Sequence, residues 1–265
     1  MFWVLAGSSR RDDDLERDQK HAFRDPLVLE LSRRFVTVQL SRSRYRELLE
    51  KWDLPPRTNL EIVFVTPDGE KIDTLSPLGV AKPDVLARKM ALVFQHYRQQ
   101  MFEQQLRPKL EDEQTSEQDL RDALKLLTDF LILSADQAVI ELLDRESLAE
   151  SVHNDAYSAL AALSTPASVQ ALLDRARDDQ RAADALARCT PDAAERMLTA
   201  LGGEDADLHL LVYHAVTRVC KIRDVKPDRF WQGRYEHVKQ KEIERVRRLV
   251  ADSAQRWRER YAEYR

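Results

Sequence analysis

Glycine is scarce in this chain, with six residues in 265. So low a count argues against a Gly-rich nucleotide loop, and neither a P-loop nor a dinucleotide fingerprint is found. Cysteine is scarcer still. Cys189 and Cys220 are too few and too far apart for a disulfide framework. Each falls in or beside a helical pattern, where a buried, inert thiol is expected. No apolar run is long enough to span a bilayer. Phe2 to Ala6 is too short for the apolar core of a signal peptide, and no basic segment precedes it. The expected location is therefore cytoplasmic, or extracytoplasmic if the start is truncated. No His, Cys and Asp cluster has metal-ligand spacing, and no nucleophile elbow is found. His209 and His214, five apart, do not share a helical face. No metal or other cofactor is expected, and no catalytic residue can be named.

What is present is charge and hydrophobic pattern. Hydrophobic residues make up 43% and charged residues 33%, which suits a helix-rich chain of two domains. The net charge of −4 hides a segregation: residues 1–110 carry 19 Lys/Arg against 16 Asp/Glu, residues 111–223 carry 11 against 22, and residues 224–265 carry 12 against 8. An acidic block repels phosphate backbones, so nucleic acid is excluded as a partner. A protein partner with a basic surface fits it. No reading of the oligomeric state follows.

The most legible stretch is 60–75. Leu60 to Val65 is a near-continuous apolar run, as in a strand covered on both faces. Pro67-Asp68-Gly69 supplies a turn, and Glu70 to Leu75 returns as a second strand. Before it, Met1–Ala6 and Phe35–Leu40 read as strands. Helices are expected near 12–21, after Pro26 and after Ser43, and a long one starts near Asp84. This order predicts a mixed four-stranded sheet with helices on both faces.

The runs Phe23-Arg24-Asp25-Pro26-Leu27-Val28, Phe35-Val36-Thr37-Val38 and Ile62 to Glu70, with their Pro-Asp-Gly turn, resemble a thioredoxin-like domain over about residues 1–105. The resemblance implies a Cys-x-x-Cys pair after the first strand and a cis-proline before the hairpin. Ser8-Ser9-Arg10-Arg11 stands in the first place and Thr58-Asn59-Leu60 in the second. Without a thiolate there is no nucleophile for disulfide exchange. Ser8, Ser9, Arg10 and Arg11 instead form a candidate anion or partner site at a helix start, although Asp12 to Asp14 already place negative charge there.

Residues 106–118 read as a linker. Beyond them apolar-periodic helices alternate with short breaks. Ile140 to Arg145 resembles Gln170 to Arg175, and Thr165-Pro166 reappears as Thr190-Pro191, each a helix-start signal. A spacing of 25 to 30 residues suggests an α-solenoid, and 117–222 resembles HEAT-like repeats. Lys226 to Gly233 reads as a turn with exposed aromatics, and Tyr235 to Arg265 as one long helix with a narrow apolar stripe.

The expected class is α/β plus all-α: a thioredoxin-like mixed four-stranded domain without redox cysteines over 1–108, HEAT-like helical repeats over 117–223, and a linker with a long amphipathic helix over 224–265. The expected function is a non-catalytic binding or scaffold protein. The alternatives are an accessory to thiol-disulfide or envelope-protein chemistry, or an enzyme with an inter-domain site that leaves no local motif.

Overall fold

The computed structural model describes residues 2–6, 13–40, 45–54, 61–201 and 205–261. The chain divides into two compact units, 1–100 and 101–265.

The first unit contains β1 (Phe2–Ala6), α1 (Asp13–Ala22), α2 (Pro26–Ser32), β2 (Val36–Leu40), α3 (Arg46–Lys51), β3 (Glu61–Val65), β4 (Lys71–Leu75), α4 (Pro77–Val80) and the start of α5 (Pro83–Met101). Two helix starts follow directly from sequence. Asp25 accepts from the Leu27 and Val28 amides at 2.9 and 3.3 Å, with Pro26 in the first turn. Ser76 accepts from the Gly79 amide ahead of Pro77 in the same way. Both are cap-plus-proline starts. All five residues of β3 are buried, as the continuous apolar run requires. Alternation divides them: Val63 and Val65 pack with Leu40, Leu49, Trp52 and Leu54, whereas Phe64 meets Phe35 with ring centroids 5.7 Å apart. Phe94 of α5 then packs on Phe35 at 6.3 Å.

β1 pairs in parallel with β2 and antiparallel with β3, and β3 with β4, which gives the backbone order β2-β1-β3-β4. The expected α/β class is nevertheless corrected. Helix takes 69% of the chain. Strand takes 6%. The fold is mostly helical, and a thioredoxin-like sheet is not its basis. The physical reason lies in the sequence. The strands are of ordinary length, five residues each, but they are confined to the first 75 residues, whereas the apolar 3.6-residue period recurs along most of the chain.

The second unit is helical throughout. A π-helical turn (Phe102–Leu106) leads to α6 (Arg107–Glu111), α7 (Glu117–Phe130), a 3₁₀ turn (Leu133–Ala135), α8 (Asp136–Leu143), α9 (Glu150–Leu163), α10 (Pro166–Arg175), α11 (Gln180–Leu186), α12 (Pro191–Met197), α13 (Ala206–Val219), α14 (Asp228–Trp231) and α15 (Glu236–Tyr261). The stretch read as a linker thus contains α6. The helices stand in two rows. α6, α8, α10 and α12 follow one another in the first, and α7, α9, α11 and α13 in the second, with each pair α6/α7, α8/α9, α10/α11 and α12/α13 in contact. α15 lies along α12, the last helix of the first row, burying Ile243, Val246, Val250 and Ala254.

Side chains tie neighbours together at matching places. Arg145, just past α8, donates to the carbonyls of Leu110 and Asp112. Arg175, at the end of α10, pairs with Asp144 just past α8. In the second row Arg121 of α7 pairs with Asp155 of α9 at 2.7 Å. Glycine scarcity is absorbed at the helix ends, where Leu131 and Ser164 take the left-handed conformation at φ 48° and 47° that glycine more often fills. No helix among the described residues is long and apolar enough to cross a membrane.

Candidate functional site

The four residues singled out from sequence, Ser8, Ser9, Arg10 and Arg11, lie outside the described residues, as do Thr58 to Leu60. Cys189 is buried and Cys220 half-buried. Burial pushes the Cys220 thiol above its ordinary pKa, which disfavours the reactive thiolate.

Among the described residues, several concavities of the second unit are lined by polar groups. One is a groove of about 330 Å³ on the second row, between α7 and α9. Arg121, Asp122, Lys125, Asp129, Asp155 and Ser158 line it. Residues three and four apart on α7 share one face, which is why Asp122, Lys125 and Asp129 stand together. Asp155 is occupied by Arg121. The remaining lining charge is then Asp122 and Asp129 against Lys125.

Another concavity, of about 450 Å³, lies among α13, α14 and α15. Its floor includes His209, Trp231 and Ile243, all buried. Asp207, Glu236 and Lys239 also line it, with Lys239 held to Glu236 at 2.7 Å. The expected turn with exposed aromatics is corrected here. Residues 228–231 form α14, and Trp231 is only 9% exposed. Its ring meets His209 at 4.5 Å and Tyr213 at 4.7 Å, edge to face in both cases, a favoured aromatic geometry. Burial moves the His209 pKa below its ordinary value, and the Lys239 charge adds to this. His209 is therefore a neutral ring at pH 7. The two histidines separate as their spacing implied: His209 faces in, and His214 stands exposed with Asp228 at 2.8 Å.

Behind this floor a buried polar network fixes the walls. The Tyr213 hydroxyl donates to Glu242 at 2.9 Å and accepts from the Lys226 amide at 2.7 Å. Arg245 donates to both Glu242 oxygens at 2.8 and 2.7 Å. Burial pushes the Glu242 carboxyl up, but hydrogen bonds from Arg245 and Tyr213 more than offset it and hold the pKa below its usual value. Burial, aided by the Glu242 carboxylate, pushes the Tyr213 phenol up to about 12. The network joins α13 to α15, which makes the concavity a preformed feature.

Sequence reading missed this site because its members come from three segments with no common motif. The available signal was the pair Phe230-Trp231 after Pro227, two large rings in an otherwise polar stretch. Compared with known proteins, the chain matches no family model, no curated protein and no solved structure.

Proposed function

We propose that this chain is a non-catalytic binding or scaffold protein, an α-solenoid of HEAT-like repeats that holds a protein partner with a basic surface. The observation that supports this most is the two-row stacking of helical pairs tied by side chains at repeating places, Arg145 to the α6 end and Arg175 to Asp144. Stacked helical pairs offer an extended surface, and binding is the usual work of such arrays. The acidic block of 22 Asp/Glu against 11 Lys/Arg over 111–223 coincides with them, and the α7–α9 groove exposes Asp122 and Asp129. Complementary charge steers encounter and selects the partner's sign.

The test is fluorescence anisotropy with a labelled octa-lysine peptide on the full chain, and an octa-glutamate control. Saturable, salt-sensitive binding of the first alone is expected, weakened several-fold by Asp122→Asn with Asp129→Asn. Equal behaviour of the two peptides would overturn the reading.

A further inference from the structure

The two ends of the backbone order β2-β1-β3-β4 differ in kind. At the β4 end the free edge is guarded. Lys71 and Asp73 put charge on the strand, and Asp73 is paired with Lys89. The Asp73 carboxylate also takes the Thr74 amide at 2.7 Å, and the β3–β4 ladder is irregular between Phe64 and Val65. Charge and a broken ladder keep an edge strand from pairing with another chain. The β2 end carries neither. Val36-Thr37-Val38-Gln39-Leu40 holds no charged residue and no proline, and its register with β1 runs unbroken from Phe2–Val36 to Ala6–Leu40. Among the described residues β1 is its one ladder partner, and no hydrogen bond outside that ladder reaches Val36–Leu40. Its outer side is therefore a row of unpaired N–H and C=O groups.

The two faces of β2 also differ. Alternation puts Val36, Val38 and Leu40 on one face. Leu40 belongs to the cluster of Leu49, Trp52 and Val63, and Val38 lies half-buried at its margin. Val36 continues that face into solvent, 55% exposed. Thr37 and Gln39, on the other face, are exposed and polar. Arg33 stands ahead of the strand, exposed and with no ion pair among the described residues.

We propose that β2 is the docking edge for an extended segment of a partner protein, one that alternates apolar and polar residues and ends in an acidic residue set against Arg33. Main-chain bonds to an open edge give such a segment its affinity, and alternate side chains give it specificity. Its apolar residues extend the row of Val36 and Val38, and its polar residues meet Thr37 and Gln39. Opposed charge at Arg33 selects the sign of its end. This edge lies in the first unit, apart from the acidic helical surface, and binding there is independent of the scaffold reading.

The probe is a hexapeptide of alternating valine and threonine with two glutamates at each end. It is titrated into the full chain labelled with ¹⁵N while the amides of Val36–Leu40 are followed. Saturable shifts and slower hydrogen exchange at these amides are expected. The same peptide N-methylated throughout its valine-threonine core lacks the donors and should bind at least about tenfold more weakly. Val36→Glu, checked for an unchanged melting temperature, should weaken the parent peptide by about tenfold, because charge blunts an edge. Arg33→Glu should reverse the preference for glutamate-ended over lysine-ended peptide. The methylated peptide needs no variant, so it decides even where Val36→Glu loses stability. No shift at millimolar peptide, or equal binding of the methylated form, overturns the edge. Octa-lysine and the double variant Asp122→Asn with Asp129→Asn should leave the shifts unchanged; a change with either would place the binding on the helical surface and overturns the edge. Dimerisation of the free chain in sedimentation, with the same amides protected as concentration rises, would assign β2 to a second copy and overturns the partner segment.

Discussion

The Tyr213 hydroxyl reaches Glu242 at 2.9 Å while accepting the Lys226 amide at 2.7 Å. One buried oxygen thus joins α13, the segment before α14, and α15. Tyr213 is fully buried and Glu242 is 5% exposed, so neither lost bond is replaced readily by water. Tyr213→Phe keeps the ring and removes only this oxygen. It leaves a backbone N–H and a carboxylate each short of a partner, and a loss of about 1–3 kcal/mol is expected. Urea unfolding at constant slope measures it. A midpoint equal to wild type would show that the oxygen does not hold the terminal helix.

Thr165 and Thr190 begin α10 and α12 with the same Thr-Pro signal, yet their hydroxyls act differently. Thr165 accepts from the Ser168 amide at 3.0 Å and donates to Asp136 of α8 at 2.6 Å. Thr190 makes no side-chain cap and donates to Asp192 at 2.5 Å. Thr165→Ala removes a cap and a link between neighbouring helices and should cost about 1–2 kcal/mol. Thr190→Ala should cost less than half of that. The ranking of the two melting temperatures decides; equal losses would mean that the cap itself contributes little.

That contrast shows what the sequence revealed and what it withheld. Helix starts were legible wherever a short polar side chain preceded proline, because the cap acts within three residues. The buried run Glu61–Val65 was legible for the same local reason. The weight of the fold was misjudged, since a clear strand–helix order over the first hundred residues says little about how much of the chain the sheet carries. Position 231 was misjudged too. Its burial depends on His209 and Tyr213, some twenty residues away on another helix, and nothing adjacent to it in sequence reports that packing. The Tyr213–Glu242 bond, 29 residues apart, is equally invisible to periodicity.

The hairpin turn offers a test of conformation separated from contact. Gly69 has φ +83°, and an added Cβ there would meet nothing within 4 Å. Its carbonyl accepts from the Trp52 indole at 3.0 Å. Gly69→Ala should cost about 1–2 kcal/mol from the left-handed backbone alone. Trp52 is 3% exposed within the cluster of Leu40, Leu49, Leu54, Val63 and Val65. Trp52→Ala also opens a cavity, and about 3–5 kcal/mol is expected. Thermal unfolding of both variants checks the order. A neutral Gly69→Ala would mean that the turn relaxes to another geometry.

Tyr157 and Asp179 contribute to the stability of the second unit at opposite ends of the pH range. The Tyr157 hydroxyl donates to Asp179 at 3.0 Å, and Arg181 also binds the carboxylate, at 2.8 Å. The Arg181 side-chain hydrogen bond comes first among the causes that hold the Asp179 pKa at about 2, against an ordinary 3.8. Its contribution is full above pH 4 and disappears as the pH falls through 2, because the unfolded chain takes up the proton first. Burial comes first in lifting the Tyr157 phenol from 10.0 to about 12, followed by Asp179. That contribution is full below pH 10 and is lost as the pH rises to 12, because the unfolded phenol ionises first. The Asp179 side chain is 21% exposed, so solvent screening trims its share to about 1 kcal/mol. Asp179→Asn should therefore flatten the acid limb between pH 4 and 2, and Tyr157→Phe the alkaline limb between pH 10 and 12. Denaturant midpoints taken across both windows test the pair. An acid limb unchanged by Asp179→Asn would place the titrating carboxylate elsewhere.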